Sequence, residues 1–480
     1  MSEQYRISKY NLYLPLRTTD QYLLIQGVKG SFDVVTRDIV DKLQAMPASV
    51  FFDADKLDLA CELIELLSKR GYITSLTEDE EFDFLKRLNQ AINERARKFI
   101  SVTMLPTYNC NFRCEYCFER NLQNKGAKWL QGKMTSEIVD AVYAQVEKWR
   151  EEGKVVEGIY LFGGEPLLRA NKDIVQYICE GACAHDLPIS CVSNGYDLNH
   201  YIDLVKEFSF KYIQITIDGL ADQHNKRRYL AGGQGTFDRI LENVDAALKA
   251  GIKIVLRTNV NRKNVDSIRN LIELYTSKGW TEKENFQYYF KSTLKCYDAL
   301  SDQYSDIELI EQLREEFNLP STDVFQFNSI YRAISDKIEY MLKNNTFAPL
   351  RSGYCGANLG MYTVDPFGDI YPCWDVLTEE EERIGRVNLE TKTFDFNDVH
   401  DRWKCRTVAN IPDCCDCPYM MFCGGGCAAQ AKVMHNDINK VFCDDFQPLF
   451  EQVVVDVCEK YLRESAAEKA EEKERVSASV

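Results

Sequence analysis

The cysteines of this chain fall into two groups, and this distribution constrains the fold more than any other feature of the sequence. The chain has 480 residues and 18 cysteines, most of which lie within residues 110–117 and 355–443. Cysteines that only fill a hydrophobic core would be scattered along the chain. We therefore expect two regions in which thiol groups organise the local structure.

The N-terminal sequence contains no export signal. Residues 1–20 have no apolar stretch followed by a cleavage site, and no apolar run is long enough to span a bilayer. We therefore expect a cytoplasmic protein without a membrane partner. Because the cytosol keeps thiols reduced, the cysteines are expected to be metal ligands, catalytic groups or small buried side chains rather than disulfides.

Length and charge narrow the possible classes further. A chain of 480 residues favours two to four domains. The formal net charge is −16, whereas binding to nucleic acid phosphates requires a basic surface. We therefore expect no nucleic-acid partner.

Residues 1–95 have the pattern of a small winged-helix-like α+β domain. Residues 21–27 predict a strand, residues 34–44 a helix, and residues 57–74 a long amphipathic helix that continues into a strand. The acidic stretch 77–99 predicts a linking helix whose charges face solvent.

Between residues 96 and 300 the pattern changes to strands that alternate with amphipathic helices. Six strands are predicted, at residues 101–105, 158–162, 189–193, 212–217, 253–260 and 286–290. Helices are predicted between them, for example over residues 136–152 and 237–250. Repeated βα units build a parallel sheet with its ligand site at the C-terminal ends of the strands. The sequence therefore predicts an α/β fold centred on a partial (βα)6 barrel.

The rest of the chain divides into three parts. We expect a helical bridge over residues 301–350, a loop-rich region with many glycines and cysteines over 351–450, and a C-terminal helix with a charged tail over 451–480. Residues 465–480 are charged and lack aromatic side chains, which predicts a frayed or disordered end.

The first cysteine group directly follows the first predicted barrel strand. Cys110, Cys114 and Cys117 have the spacing C-x3-C-x2-C. Three thiolates on one short loop can ligate three irons of a [4Fe–4S] cluster, which normally takes four cysteines, so one iron is left open. A zinc knuckle is the alternative, but zinc needs a fourth Cys or His and none follows nearby.

This loop, with Tyr116 beside its third cysteine, resembles the radical S-adenosylmethionine (SAM) superfamily. In that superfamily the open iron chelates the amino and carboxylate groups of SAM, and electron transfer to the sulfonium releases a 5′-deoxyadenosyl radical. The resemblance implies an enzyme that binds SAM, with Tyr116 among the cofactor contacts, and a low-potential electron donor such as flavodoxin or ferredoxin.

Two further barrel strands end in residues that support the resemblance. Gly163, Gly164 and Glu165 follow the second strand in a Gly-Gly-Glu-Pro sequence. It resembles the superfamily's glycine-rich motif, whose backbone and glutamate face the amino group of the cofactor. Glycines allow the close approach of backbone to a ligand. Ser193 ends the third strand and is expected to border the same site.

A hydroxyl residue and an arginine follow the fourth strand. Thr216 ends that strand, and Arg228 comes twelve residues later. This spacing resembles the anaerobic sulfatase-maturating enzymes, in which the two residues contact the ribose and carboxylate of the cofactor. An arginine suits a carboxylate because its planar guanidinium donates two parallel hydrogen bonds. A surface salt bridge is the alternative role for Arg228.

The second cysteine group resembles the SPASM extension of peptide- and protein-modifying radical enzymes, since seven cysteines follow its order. The resemblance implies two auxiliary [4Fe–4S] clusters, whereas a zinc ribbon would account for four of the seven cysteines. The first auxiliary set would be Cys355, Cys373 and Cys427. The second auxiliary set would be Cys414, Cys417, Cys423 and Cys443.

The first auxiliary set departs from the sulfatase-maturating pattern. Those enzymes supply a fourth thiolate six residues after the first, where this chain has Met361. The cluster would then have an open iron that a substrate thiol could bind, or it would recruit Cys405 or Cys415.

The catalytic base also departs from that pattern. Sulfatase-maturating enzymes place an aspartate directly after the cysteine that corresponds to Cys373, whereas this chain has Trp374 there and Asp375 one position later. Asp375 is the candidate base, and a solvent-facing carboxylate is the alternative.

Together these features predict a maturase that modifies a ribosomally made precursor peptide and forms a thioether at a cysteine. The N-terminal pattern supports this, because it resembles small domains that bind a leader peptide as an added strand. One alternative is a sulfatase-maturating enzyme that oxidises Cys or Ser to formylglycine. Another is a non-catalytic iron–sulfur electron carrier, which would need neither the glycine-rich motif nor Thr216 and Arg228.

Overall fold

The N-terminal part contains two small antiparallel sheets. In this computed structural model the described residues are 4–47, 49–117, 119, 127–293, 302–318, 329–377 and 379–478. The first six strands are β1 (Gln4–Ile7), β2 (Asn11–Pro15), β3 (Gln21–Gln26), β4 (Ser31–Thr36), β5 (Phe52–Asp53) and β6 (Ile73–Thr74). The first three helices are α1 (Arg37–Gln44), α2 (Cys61–Arg70) and α3 (Glu78–Ala96). β2, β3 and β4 form one sheet in that order, and β1 lies between β5 and β6 in the other.

Two predicted helices in this part begin later than expected. Val34 and Val35 belong to β4 and pair with β3, so the first helix begins only at Arg37. β-branched residues favour the pleated strand, which explains the difference. The second helix begins at Cys61, because the chain turns at Asp58 through a left-handed conformation with φ 49°.

A parallel sheet of six strands forms the centre of the molecule. Its strands are β7 (Phe99–Met104), β8 (Val155–Leu161), β9 (Ile189–Ser193), β10 (Tyr212–Thr216), β11 (Ile254–Val260) and β12 (Phe286–Ser292), each parallel to its neighbour. The accompanying helices are α4 (Ala127–Leu130), α5 (Ser136–Glu151), α6 (Lys172–Ala184), α7 (Ile202–Glu207), α8 (Ala221–Arg227), α9 (Phe237–Lys249) and α10 (Ile268–Ser277). This confirms the predicted α/β fold, and all six predicted strands overlap strands of the structure.

The sheet continues beyond the barrel into the cysteine-rich region, which we had expected to consist of loops. The additional strands are β13 (Met361–Val364), β14 (Asp369–Tyr371), β15 (Gly385–Asn388) and β16 (Thr393–Phe396). β13 pairs in parallel with β7, and β14, β15 and β16 follow in antiparallel order. The result is a ten-stranded sheet that holds part of the cysteine-rich region against the barrel.

The remaining helices follow the barrel. They are α11 (Asp306–Phe317), α12 (Ser329–Asn344), α13 (Asp398–Lys404), α14 (Met420–Cys423), α15 (Ala428–His435) and α16 (Phe446–Ala478). α16 continues through most of the tail that was expected to be frayed or disordered. The tail up to Ala478 is rich in Ala, Glu and Lys and has no Gly or Pro, a composition that favours helix. Among the described residues, no helix combines the length and apolarity needed to cross a membrane.

Residues 1–95 share two hydrophobic cores with the C-terminal half of the chain. Leu12, Leu14, Leu16, Leu23 and Ile25 belong to one buried cluster together with side chains of α12 and α16. Tyr10, Val28 and Leu85 belong to another, together with Val408, Ile411, Cys414, Met420 and Met421. The N-terminal part is therefore packed against the cysteine-rich region, although the domain boundaries themselves stay predictions.

The interface leaves no room for a side chain at Gly27. A Cβ atom at this position would lie 2.0 Å from the carbonyl oxygen of Pro418, which is backbone and cannot rotate away. We expect Gly27→Ala to lower the free energy of unfolding by about 3 kcal/mol, measured by chemical denaturation. Gly232→Ala is the control, because its Cβ would meet only the flexible Gln234 side chain. Equal stability of the two variants would contradict the tight interface.

Candidate active site

The loop that carries the first cysteine group is held against the segment after α8. The backbone N–H of Arg113 donates to the carbonyl of Tyr229 at 2.8 Å, and that of Ala231 donates to the carbonyl of Asn111 at 2.8 Å. Phe112, which stands between Asn111 and Arg113 in the sequence, is only 2% exposed. These contacts place the loop at the C-terminal ends of the barrel strands, as the sequence predicted.

The three thiol groups of this loop lie close enough to influence one another. Burial raises the pKa of Cys110, and the charges of Glu165, Cys114 and Cys117 raise it further. Three thiolates so close together repel one another, and bound cations would relieve that repulsion. This donor set fits an iron–sulfur cluster. A zinc knuckle would need a fourth Cys or His beside these three thiols.

The glycine-rich turn packs directly on the backbone that leads into the cysteine loop. A Cβ on Gly163, whose φ is +118°, would lie 2.9 Å from the carbonyl oxygen of Thr107. A Cβ on Gly164 would lie 2.3 Å from the carbonyl oxygen of Asn109. The structure thus gives these glycines a packing role, and their contact with a cofactor stays a prediction.

Glu165 connects the ends of two barrel strands. Its side chain is 2% exposed. Oε1 accepts hydrogen bonds from the backbone N–H of Leu167 at 2.9 Å and from Ser193 Oγ at 2.7 Å, and Oε2 accepts one from the backbone N–H of Asn194 at 2.6 Å. Burial raises the pKa of Glu165 to about 7, although these hydrogen bonds act in the opposite direction. Ser193 therefore serves to hold Glu165, at the border of the site where it was expected.

Arg228 is buried beside the cysteine loop. The residue is only 8% exposed. This burial contradicts the alternative role of Arg228, a surface salt bridge. Nη1 donates to the hydroxyl of Tyr116 at 2.8 Å, and that hydroxyl donates in turn to Asp218. Burial raises the pKa of Cys114, whereas the nearby guanidinium of Arg228 lowers it. Arg228 thus partly balances the negative charge of this loop.

One donor of Arg228 is left without a partner. Nε is buried and has no hydrogen-bond partner among the described residues. Thr216 is 7% exposed at the end of β10, two residues before Asp218. These side chains fit a ligand that brings an acceptor such as a carboxylate.

Sequence reasoning missed Glu119, Asp218 and Asn259. Asn259 donates to the Tyr116 hydroxyl at 3.2 Å, and its backbone N–H donates to Asp218 at 2.9 Å. Glu119 is 5% exposed. Burial raises the pKa of Glu119 to about 8, and the charge of Glu165 contributes in the same direction. Its place two residues after Cys117 was the only sequence signal for it.

The structure brings together the three cysteines of the first auxiliary set. Burial raises the pKa of Cys373, and the charges of Asp375, Cys355 and Cys427 raise it further. Asp375 is half-buried, and its backbone N–H donates to Cys373 Sγ at 3.4 Å. The candidate base is therefore beside the predicted ligands, so its environment differs from that of a fully solvated carboxylate.

The four cysteines of the second auxiliary set also lie together. Burial raises the pKa of Cys414 to about 12, and the charges of Cys423, Cys417 and Cys443 contribute. Cys443 is exposed, while Cys414 and Cys423 are buried. The members of each predicted set thus interact with one another although the sets interleave along the chain, and the Arg406 guanidinium lies near cysteines of both.

The two candidates for a fourth ligand differ in their surroundings. Cys405 is exposed at the end of α13. The charged neighbours of Cys415 are Asp416, Lys9 and Lys86, which belong to the interface with the N-terminal part. Met361 is 9% exposed at the start of β13. Whether the first auxiliary set has an open position therefore stays a prediction.

Trp374 connects the first auxiliary set to the barrel. Its ring lies 5.2 Å, centroid to centroid, from that of Phe162, the residue before the glycine-rich turn. The backbone of Trp374 directly follows Cys373. The first auxiliary set is therefore the one adjoining the barrel site.

Comparisons with known proteins agree with this geometry. Residues 104–275 match the family described as the Radical SAM superfamily. The chain is 24% identical over 376 residues to a cysteine-type anaerobic sulfatase-maturating enzyme of Clostridium novyi (strain NT). The match covers 74% of this chain and 95% of that protein.

Among solved structures, native anSMEcpe with bound AdoMet matches 75% of this chain and 98% of its own, with a TM-score of 0.57 and 17% identity. The same protein has been solved with AdoMet and the Cp18Cys peptide. Streptococcus suis SuiB matches 91% of this chain, with a TM-score of 0.48 and 14% identity. The similarity to anSMEcpe supports the fold described above.

Proposed function

We propose that this chain, which belongs to the radical SAM superfamily, modifies a ribosomally made precursor peptide in the cytoplasm and forms a thioether at one of its cysteines. The observation that carries the proposal is the first auxiliary set, in which three cysteines, and Met361 in place of a fourth, adjoin the barrel site. Such a set leaves room for a cysteine of the substrate.

The radical SAM superfamily uses a [4Fe–4S] cluster and SAM. We propose that Cys110, Cys114 and Cys117 hold the catalytic cluster, and that the two C-terminal sets hold auxiliary clusters. Contacts to SAM are proposed for Tyr116, Gly163, Gly164, Glu165, Ser193, Thr216 and Arg228. When bound, the catalytic cluster and SAM would supply a carbon radical that takes a hydrogen atom from the substrate. An auxiliary cluster would accept the remaining electron.

The chain's own residues complete the balance of the reaction. A carbon–sulfur bond forms, a hydrogen atom leaves the carbon, and a proton leaves the sulfur. Asp375 is the proposed acceptor of that proton, because its carboxylate lies beside the first auxiliary set, 3.8 Å from Cys373 Sγ. A flavodoxin or ferredoxin is proposed to supply the starting electron.

The N-terminal part is proposed to bind the leader of the precursor. β4 is an edge strand of the sheet β2-β3-β4. An edge strand has free backbone groups that an extended peptide can pair with. Tethering the leader there would raise the effective concentration of the core peptide at the barrel.

Formylglycine formation is the second candidate function. The 24% identity to a sulfatase-maturating enzyme over 74% of this chain favours it. Met361, Trp374 and the additional N-terminal residues count against it, because they depart from the sulfatase-maturating pattern.

Product mass separates these candidates. The reconstituted, reduced protein would be incubated with SAM and either a cysteine-containing sulfatase peptide or a short cysteine-rich precursor peptide. Loss of two hydrogen atoms with retention of sulfur indicates a thioether, whereas replacement of sulfur by oxygen together with loss of two hydrogen atoms indicates formylglycine from cysteine. Absence of 5′-deoxyadenosine with both peptides would contradict an active radical enzyme.

The cofactor pocket can be tested through Arg228. We expect Arg228→Ala to weaken SAM binding by about 2 kcal/mol, because a charge-assisted hydrogen bond to the cofactor carboxylate is lost. Equilibrium dialysis with labelled SAM measures the effect. Arg239→Ala is the control, since Arg239 donates to Asn199 away from this pocket. Unchanged affinity in Arg228→Ala would leave Arg228 with only its contact to Tyr116.

A further inference from the structure

Glu119 is a buried carboxyl group at the mouth of the barrel that has no described role in holding the chain together. The residue is 5% exposed. Oε1 is buried and has no hydrogen-bond partner among the described residues. A buried acceptor without a donor is costly, so a donor from outside the protein would stabilise it.

The surroundings of Glu119 are those of the proposed cofactor site. Its backbone N–H donates to the sulfur of Cys117, and its carboxylate is close enough to Tyr108 and Glu165 to interact with both. Glu165 is different, because three donors of the chain already bind its carboxylate. Of Glu119 and Glu165, Glu119 is therefore the residue with a carboxylate oxygen, Oε1, still available to accept a hydrogen bond.

Glu119 and Arg228 complement the two charged groups of an amino acid. Arg228 lies beside Cys114 with Nε unpaired, and Glu119 lies beside Cys117 with Oε1 unpaired. The acidic and the basic side chain thus flank the same cysteine loop. An α-amino acid group brings N–H donors and a carboxylate acceptor, and these are the two kinds of partner that are missing.

We propose that Glu119 accepts a hydrogen bond from the amino group of SAM. The inference rests on the proposed binding of SAM at this loop and adds a cofactor contact to it. Glu119 would thus add a second carboxylate to the contacts proposed above, while Glu165 also holds the shape of the turn.

Binding measurements on Glu119→Gln test the inference in the reconstituted full-length protein. Equilibrium dialysis would be done with SAM and with a SAM analogue that lacks the amino group. We expect Glu119→Gln to bind SAM about tenfold more weakly than the wild type, since a charge-assisted hydrogen bond becomes a neutral one. The two proteins should bind the analogue equally, because the interaction is then absent from both.

Glu115→Gln is the matched control. Glu115 is exposed and stands two residues before Cys117, as Glu119 stands two residues after it, so both variants remove one charge from the same loop. Glu115→Gln should change SAM affinity by less than about twofold. Iron content and thermal unfolding of both variants would show that the loop still folds and binds its cluster.

Three results would overturn the inference. One is wild-type SAM affinity in Glu119→Gln, and another is an equal penalty with SAM and with the analogue. If Glu119→Gln loses iron, Glu119→Asp is measured in its place. The third result is equal binding of SAM and of the analogue by the loaded wild type. Failure of the loaded wild type to bind SAM at all would instead refute the proposed function.

Discussion

Replacing Cys110, Cys114 and Cys117 together with alanine is expected to abolish formation of 5′-deoxyadenosine from SAM. The three thiols lie together on one loop at the barrel mouth, and the two C-terminal sets are separate from them. Only the catalytic cluster should therefore be lost. Iron content should fall by about one third if all three clusters contain four irons, and chromatography of the reaction mixture measures the cleavage product.

Cysteines outside the three sets provide the control for this variant. Cys61 and Cys183 are exposed and belong to none of the predicted sets. Their combined replacement by alanine should leave both iron content and cofactor cleavage unchanged. Undiminished cleavage in the triple variant would refute the assignment of the catalytic cluster to this loop.

The barrel could be predicted from the sequence because its signals are local. Each strand is a short apolar run and each helix has an amphipathic period, so their order along the chain also gives their order in a parallel sheet. The C-terminal ends of neighbouring strands then meet at one edge. This is why Ser193, Thr216 and the glycine-rich turn could be assigned to one site before their positions were known.

The continuation of the sheet into the cysteine-rich region could not be predicted in this way. β13 has only four residues, Met361–Val364, and its partner β7 lies far away along the chain. Pairing over such a distance leaves no periodic pattern in either segment. The shared cores of the N-terminal part escaped prediction for the same reason, since each alternating strand indicates a buried face but not what covers it.

The shared cores also change how leader binding should be tested. Deletion of residues 1–95 would expose apolar side chains of α12 and α16, and those around Met420 and Met421. A loss of activity in that truncated protein would therefore not distinguish leader binding from misfolding. Substitutions confined to the edge strand β4 are the better test of the recognition role.

Glu119 illustrates a different limit of the sequence. A single glutamate carries no pattern, and glutamate is usually exposed. Its functional interest arises only from burial together with an unpaired oxygen, and neither property can be read from the neighbouring residues. Arg228 was predicted because it has a partner at a fixed spacing, whereas its burial became known from the structure.

Met361→Cys is expected to leave cofactor cleavage largely intact and to suppress thioether formation. Met361 stands where sulfatase-maturating enzymes have a fourth thiolate, whereas Cys405 is exposed and Cys415 lies near Asp416, Lys9 and Lys86. A cysteine introduced at this position would compete with the substrate thiolate for the open position of the first auxiliary set. Product analysis by mass spectrometry and measurement of 5′-deoxyadenosine in the same reaction separate the two effects.

The size of the side chain must be controlled, because Met361 is 9% exposed and packs against Gly356. Met361→Ala removes a similar volume without adding a thiol, at a cost of about 2–5 kcal/mol for a buried methionine. It should therefore retain thioether formation if it remains folded. Suppression in both variants would assign the effect to packing.

Spectroscopy distinguishes an open position from one that the chain already fills. If the substrate thiolate binds there, substrate labelled at sulfur with a magnetic isotope should show coupling to the auxiliary cluster in the wild type and lose it in Met361→Cys. If Cys405 or Cys415 fills the position instead, Cys405→Ala or Cys415→Ala should alter the cluster spectrum, and Met361→Cys should change little. Absence of sulfur coupling in the wild type would refute direct binding of the substrate thiolate, because a ligand sulfur necessarily shares spin density with the iron that it binds.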